Sequence, residues 1–236
     1  YIRNWIKIDN KWFFIKKPNS YLKFFNELLG QEISNYFGLE SVCYKIAKKF
    51  EDYCFDTCLM SENFFDNNYR YLTFDDLKID TSNKKLSKRL DLIKQLCQKN
   101  NDKEYLLLQD IIKMSIRDLY SNMEDRHYRN FFLKKDDKEI RLAPLFDYEL
   151  SFMMPPTIYR NPLLKLDIHD NNTSNLIKND DMFQEYINKL MDINIEKLLE
   201  ITQEKNGISI SDGLREIFIN HDRNAKNIVK TFYLRK

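Results

Sequence analysis

The chain has 236 residues, of which 43% are hydrophobic and 14% aromatic, so it can bury a substantial core in one large domain or two lobes. Its 38 Lys and Arg residues against 36 Asp and Glu residues leave a formal net charge of +2, with both signs interspersed along the chain. This pattern excludes a basic arm for nucleic acid, and no apolar run reaches the roughly 18 residues of a membrane span. Because we find no signal peptide, we expect a soluble cytoplasmic protein with no membrane partner.

The first part of the chain predicts a β-hairpin followed by a helix. Aromatic and β-branched residues flank the turn pair Asp9-Asn10, which is typical of a hairpin. From Asn19 or Ser20, either of which can cap a helix, apolar residues recur at helical spacing until Gly38, a residue type favoured just after a helix end.

Two further strands are predicted at residues 41–50 and 52–60, which are again rich in aromatic and β-branched residues. A small sheet with one helix against it therefore accounts for residues 1–60. The remainder, residues 61–236, changes to helical spacing, so we expect an α+β fold in which a strand-rich lobe precedes a larger, mainly helical lobe.

The helical part begins with two amphipathic segments, residues 82–99 and 101–120, and Asn101 and Glu104 have the spacing of a capping pair for the second. Residues 131–142 then predict a hairpin that turns at "KKDDK", and helical spacing returns from about residue 180.

The stretch "NMEDRHYRNFFL" lies between the second helix and that hairpin and holds Asp125 and Asn130. Phosphoryl transfer from a nucleotide needs an aspartate that orients the acceptor hydroxyl, oxygen ligands for Mg²⁺ and a cation on the phosphates. The same spacing from aspartate to asparagine occurs in the catalytic loop of protein kinases. Asp125 is therefore a candidate for the acceptor-orienting residue, and Asn130 for a metal ligand.

Asp147, in "LAPLFDYE", follows the predicted hairpin. If the hairpin turns near Asp136 and Asp137, Asn130 pairs near Ala143 or Pro144, and Asp147 then lies on the order of 10 Å further along, at about 3.3 Å per residue. A modest bend would bring Asn130 and Asp147 to one ion. Magnesium suits such a site, because it binds one or two carboxylates together with phosphates and water.

The cation for the phosphates is expected from the first lobe. The sequence "FFIKKP" offers Lys16 and Lys17 near a strand end, and the following helix carries Glu27 and Glu32. A strand lysine held by a glutamate of the packed helix is how kinases bind nucleotide phosphates. Strand alternation alone does not determine which lysine faces inward.

Five segments in this order resemble HipA-like serine/threonine kinases over most of residues 11–155: "FFIKKP", "NELLGQEISNYFGLE", "LMSENF", "DRHYRNFFL" and "LAPLFDYELSF". The resemblance implies a bilobal protein-kinase-like fold, a small sheet-plus-helix N-lobe, a larger helical C-lobe, and ATP and Mg²⁺ as cofactors. By matching position, it implies Lys16 as the phosphate-binding lysine and Glu27 as its partner. It further implies Asp125 as the catalytic residue, Asn130 and Asp147 as the metal ligands, and an adenine hinge at Met60, Ser61, Glu62 and Asn63.

The family includes toxins of bacterial toxin–antitoxin systems, so the resemblance also implies a protein substrate and an antitoxin-like regulatory partner. The chain differs from the family in two places. No glycine precedes the lysine strand, where a glycine-rich loop is expected, and "SNME" stands where the family often has Gly-Asn before its aspartate. Two alternatives stay open: a lipid or small-molecule phosphotransferase resembling phosphoinositide kinases, and a pseudokinase that only binds a partner.

Overall fold

The structure is a computed structural model that describes residues 2–51, 54–74, 76–77, 85–123, 126, 130–152, 164, 166 and 170–235. The expected α+β class is confirmed: a small antiparallel sheet with one helix precedes a part that is mainly helical. None of the helices described is both long enough and apolar enough to cross a membrane.

The first sheet has four antiparallel strands in the order β1-β2-β4-β3. They are β1 (Ile2–Ile8), β2 (Lys11–Lys17), β3 (Lys45–Glu51) and β4 (Cys54–Glu62). The predicted turn joins β1 to β2, and Asp9 and Asn10 both have left-handed backbone conformations, with φ of 46° and 64°. Two such residues match the right-handed twist of a hairpin, and Asp and Asn tolerate the conformation well.

Helix α1 (Tyr21–Tyr36) is capped by Ser20, one of the two predicted candidates, whose hydroxyl accepts from the backbone N–H of Lys23 at 3.3 Å. The chain leaves the helix at Gly38, whose φ of 72° explains why a glycine stands there. Phe24 and Leu28 pack toward the first sheet, whereas other residues of α1 join the main core of the helical part. The helix is therefore buried between both parts of the molecule.

A second, three-stranded sheet in the order β5-β6-β7 lies in the helical part. Its strands are β5 (Arg70–Leu72), β6 (Leu133–Lys135) and β7 (Ile140–Leu142), so the predicted hairpin is confirmed. The helices described after α1 are α2 (Leu86–Lys99), α3 (Leu106–Ser121), α4 (Asn171–Asn179), α5 (Asp181–Met191), α6 (Ile195–Asn206) and α7 (Asp212–Phe232). Helix α4 begins before the expected start of the last helical region.

The predicted capping pair of α3 is wrong. The carboxylate of Asp102, which stands between Asn101 and Glu104, accepts from the backbone N–H groups of Leu106 and Leu107, both at 2.9 Å. Tyr105 has a φ of 54° and turns the chain just before the helix starts, which moves the start beyond the reach of the pair. An ionised cap also interacts favourably with the positive end of the helix.

Candidate active site

Lys16 lies at the centre of a buried ionic cluster. It projects from β2 toward α1, is 1% exposed, and its Nζ forms ion pairs with Glu27, Asp147 and, at 3.2 Å, Glu149. Strand alternation sends Lys17 to the other face of the sheet, where it pairs with Asp56 at the surface.

Glu27 fixes the other side of this cluster. Its side chain is fully buried on α1, where Oε1 meets Lys16 and Oε2 accepts from the backbone N–H of Tyr148 at 3.0 Å. Glu27 therefore connects the strand of Lys16 to the segment that carries Asp147. The other candidate, Glu32, pairs with Lys205 at 2.7 Å and does not take part.

Burial and charge compete within the cluster. Burial lowers the pKa of Lys16, but the carboxylates of Glu27 and Asp147 outweigh it, so the net pKa lies above the ordinary value and the ammonium stays charged. Burial raises the pKa of Glu27, an effect that Asp147 adds to and Lys16 opposes. The positive charge of Lys16 therefore stabilises the charged form of Glu27 in this buried position.

Asp147 has a left-handed backbone, with a φ of 62°. Asp tolerates this conformation better than most residues, and positive φ outside glycine is uncommon and often occurs at functional sites. Its carboxylate is 13% exposed beside Lys16. At this left-handed position the carboxylate of Asp147 meets Lys16 in the cluster.

Asn130 lines the same cavity as Asp147. In the hairpin, Leu133 pairs with Leu142, and continuing that register places Asn130 opposite Leu145. The extrapolated register therefore lies one or two residues beyond the predicted pairing near Ala143 or Pro144, which places Asp147 two residues from the position opposite Asn130. Asp125, the predicted catalytic residue, lies outside the described residues.

The cavity that these residues enter has a volume of about 340 Å³ and walls that are mainly aromatic. Cross-strand pairing brings Trp5, Phe14 and Ser61 to one face of the first sheet, since Phe14 stands opposite both of the others. The aromatic lining comes from both parts of the molecule and comprises Trp5, Phe14, Tyr44, Phe64, Phe65, Phe132 and Phe146.

The four residues predicted as the adenine hinge differ in their position relative to the cavity. Ser61 and Glu62 are among the described residues that line the cavity. Met60 stands opposite Ile15 in the sheet and so faces away from Lys16, and Asn63 donates its backbone N–H to the carbonyl of Trp12 at 2.8 Å. Strand alternation accounts for the opposite orientations of Met60 and Ser61, whereas Glu62, which stands opposite Phe13, borders the cavity from the end of β4.

Sequence reasoning missed Glu149 as a member of the site. It follows Asp147 by two residues, a spacing that places two side chains on the same side of an extended segment. That spacing was the available signal. The aromatic walls were also missed, because the pairs Phe64-Phe65 and Phe131-Phe132 fit an ordinary core equally well.

The side chains present suit a magnesium ion. Glu27, Asp147 and Glu149 offer carboxylate oxygens within 4.8 Å of one another. Asn130 adds an amide oxygen on the same cavity. Carboxylate and amide oxygens next to space for phosphates form the kind of donor set that Mg²⁺ takes.

Gly30, one turn after Glu27 on α1, permits a close approach between that helix and Tyr148. A Cβ atom at Gly30 would lie closer than 3.0 Å to Cβ, Cγ and Cδ2 of Tyr148. The ring cannot retreat easily, because Ser34 donates to its hydroxyl at 3.0 Å and the guanidinium of Arg117 lies 4.3 Å from its centre.

Replacing Gly30 by alanine should therefore destabilise the protein by about 1 to 3 kcal/mol, although alanine is the better helix former. It should also push Glu27 away from Tyr148 and weaken any activity of the site. Chemical denaturation measures the first effect. Gly213→Ala is the control, since nothing lies within 4 Å of its added Cβ, and it should change the stability by less than about 0.5 kcal/mol. Equal losses in both variants would contradict the close approach.

The sheet, the buried lysine–glutamate pair on its helix and the helical part below the cavity define a protein-kinase-like fold. No family model matches the sequence. No curated protein matches it either. Solved structures do: the Helicobacter pylori proinflammatory kinase CtkA has a TM-score of 0.63 at 16% identity, over 95% of this chain and 90% of that one.

Two further structures are similar. HipA, in a Shewanella oneidensis toxin–antitoxin complex with HipB and operator DNA, has a TM-score of 0.59 at 10% identity, over 93% of this chain and 58% of that one. The N-terminal 618-residue fragment of LepB from Legionella pneumophila has a TM-score of 0.50 at 15% identity, over 98% of this chain and 46% of that one. At these identities the likeness establishes a HipA-like kinase fold.

Proposed function

We propose that this protein is an ATP- and Mg²⁺-dependent serine/threonine protein kinase of the HipA-like family. It transfers the γ-phosphoryl group of ATP to a protein hydroxyl. One observation carries the proposal: Lys16, paired with Glu27 and Asp147, stands at the wall of an aromatic cavity that Asn130 and Asp147 also line. Kinase chemistry requires this combination of a held lysine, metal-binding oxygens and space for a base.

The first sheet binds the nucleotide in this proposal. The base enters between the aromatic walls, and the backbone of Ser61 and Glu62 meets its edge at the hinge. Lys16 binds the phosphates and Glu27 holds it in place, since a single ammonium group on a flexible stem needs a fixed partner to be positioned.

The helical part carries out the transfer. Asp125 accepts the proton of the acceptor hydroxyl as its oxygen attacks the γ-phosphorus, and the bond to the β-phosphate oxygen breaks to release ADP. Asn130 and Asp147 would hold Mg²⁺, with Glu149 close by. Bound there, the ion supplies neutralisation of phosphate charge, which lowers the energy of the transition state.

A protein hydroxyl is the acceptor that the charge pattern favours. Docking on an anionic membrane usually takes a cluster of Lys and Arg worth about 1 kcal/mol each, whereas basic and acidic residues are interspersed along this chain. The kinase-like fold that the protein shares with HipA also leads us to propose an antitoxin-like regulatory protein as a partner.

The function is tested by incubating the purified protein with labelled ATP and Mg²⁺, once with cell lysate and once with vesicles of anionic lipid. Label in protein bands is the expected result. Label in lipid alone would favour a lipid kinase, and label in neither would favour a pseudokinase.

Nucleotide binding has its own optical signal, because the chain has two tryptophans and both are 49% exposed on the first hairpin. Only Trp5 lines the cavity among the described residues, with its ring 5.2 Å from that of Phe14. ATP should therefore change the fluorescence of the wild type and of Trp12→Phe, but not that of Trp5→Phe. A response that disappears in Trp12→Phe instead would place the nucleotide elsewhere.

Asp147→Ala should weaken Mg²⁺-dependent ATP binding by at least about tenfold, because it removes a charged oxygen ligand from the ion. Calorimetric titration with and without Mg²⁺ measures this effect. Binding in the absence of Mg²⁺ should change much less. An unchanged metal dependence would contradict the assignment of Asp147 as a ligand.

A further inference from the structure

Arg126, the residue directly after Asp125, is 1% exposed and binds two separate stretches of backbone. Its Nη1 donates to the carbonyl of Asn130 at 2.8 Å and to that of Phe146 at 2.9 Å, and its Nε donates to Asp118 Oδ2 at 3.0 Å. Asn130 is a proposed metal ligand, and Phe146 directly precedes the other, Asp147. One guanidinium thus ties the backbone of Asn130 to the segment of Asp147.

Asp118, on α3, accepts the hydrogen bond from Nε of this arginine. Its side chain is fully buried, and its second oxygen, Oδ1, accepts from Arg117 Nη1 at 2.8 Å. Arg117 in turn donates to the carbonyl of Gly30 at 3.3 Å, three residues after Glu27 on α1. The carboxylate of Asp118 therefore stands at the middle of a chain of hydrogen bonds that begins at the carbonyl of Gly30 on α1 and ends at the carbonyls of Asn130 and Phe146.

The same two guanidinium groups lie against the ring of Tyr148. The guanidinium of Arg117 is 4.3 Å from the ring centre, and that of Arg126 is 5.5 Å from it. Tyr148 follows Asp147, and its backbone N–H binds Glu27. The residues that border the proposed metal ligand on both sides are thus held by groups that Asp118 orients. A guanidinium presents its donors in a rigid fork, so its orientation determines where its acceptors lie.

We propose that Asp118 is a positioning residue for phosphoryl transfer: it orients Arg126, and through Arg126 it fixes the distance between Asn130 and Asp147. This inference rests on the proposed kinase function. It assigns to α3 a role in catalysis without contact with nucleotide or metal. Misplacing reacting groups by about 1 Å can cost a hundredfold in rate, which is why a remote carboxylate can matter.

Two variants and one matched control test this role. Arg126→Lys keeps the positive charge but lacks the two separate nitrogens, Nε for Asp118 and Nη1 for both carbonyls, that bind all three acceptors at once. Asp118→Asn removes the charge that orients the arginine. Asp110→Asn is the control: Asp110 lies on the same helix, is 4% exposed and accepts from Arg141 at 2.7 and 3.1 Å, away from the site.

In steady-state kinetics, Arg126→Lys and Asp118→Asn should lower kcat by about 10- to 100-fold and change KM for ATP by less than about threefold. Asp110→Asn should lower the melting temperature without lowering kcat. If Arg126→Lys keeps the wild-type kcat, or if Asp110→Asn loses as much activity as Asp118→Asn, the positioning role is refuted and Asp118 only stabilises the fold.

Hydrogen exchange provides a readout that does not depend on activity, and it remains informative if Asp118→Asn is only marginally stable. The amides of residues 145–148 should exchange at least about tenfold faster in Arg126→Lys than in the wild type, and at the wild-type rate in Asp110→Asn. Unchanged exchange in Arg126→Lys would overturn the inference. A wild-type protein without transfer activity would refute the proposed function instead, and the exchange comparison would then decide alone whether Asp118 positions these segments.

Discussion

Asp125→Asn should reduce phosphoryl transfer by about 10²- to 10⁴-fold, which is the usual contribution of a positioned general base. Asparagine has nearly the same shape as aspartate but cannot take the proton of the acceptor hydroxyl. Nucleotide affinity and the melting temperature should stay close to those of the wild type. Incorporation of labelled phosphate, measured together with thermal unfolding, separates the chemical effect from a folding defect.

The control for this variant is Asp137→Asn, which makes the same chemical change in the exposed turn of the β6–β7 hairpin. It should transfer phosphate at the wild-type rate. If Asp125→Asn retained near wild-type transfer, Asp125 would have no part in the mechanism.

Lys16→Met should lower the free energy of unfolding by about 3 to 5 kcal/mol near neutral pH, the usual cost of leaving a buried charge without its partner. The reason is Glu27, which is fully buried and has Lys16 as its cationic partner. Lys17→Met is the matched control on the same strand. Because Lys17 is 39% exposed in its pair with Asp56, this change should cost less than about 1 kcal/mol.

The loss in Lys16→Met should depend on pH. Burial already raises the pKa of Glu27, and removing Lys16 removes the group that lowers it, so the pKa of the folded state rises further above that of the unfolded chain. A carboxyl group with a raised pKa contributes stability below its unfolded pKa of about 4.3 and loses that contribution as the pH rises through its folded pKa.

In denaturation experiments, the free energy of unfolding of Lys16→Met should accordingly fall less far below that of the wild type at about pH 5 than at about pH 8. The double variant Lys16→Met with Glu27→Gln should recover much of the stability and lose the pH dependence. A deficit that is the same at both pH values would mean that Glu27 is not the group left unpaired.

Features that depend on neighbouring residues were predicted from the sequence. The hairpin turn at Asp9-Asn10, the cap at Ser20 and the end of α1 at Gly38 all agree with the structure, because turns and caps form from residues within a few positions of one another. The predicted capping pair of α3 was wrong for a local reason. Tyr105 has a left-handed backbone just before the helix, and Asp102 caps the helix instead.

The candidate residues of the site were identified by their types and order, but their geometry was not. Which lysine faces inward depended on how β2 lies on α1, and the position of Asn130 depended on a register that differed by one or two residues from the expected one. Glu149 and Arg126 were not predicted from the sequence to belong to the site, because an acid or an arginine in a polar loop is usually exposed to solvent.

The sequence alone determined the α+β class, the local turns and caps, and the residue types suited to binding phosphates and magnesium. Only the tertiary structure decided which of them meet. Lys16 and Asp147 are 131 residues apart in the chain, and Asn26 beside Glu27 reaches carbonyls more than 120 residues away. Such contacts are set by the packing of α1 between the two parts of the molecule and by the close approach at Gly30, and no local pattern specifies them, because periodicity determines which face of an element is buried but not what lies against it.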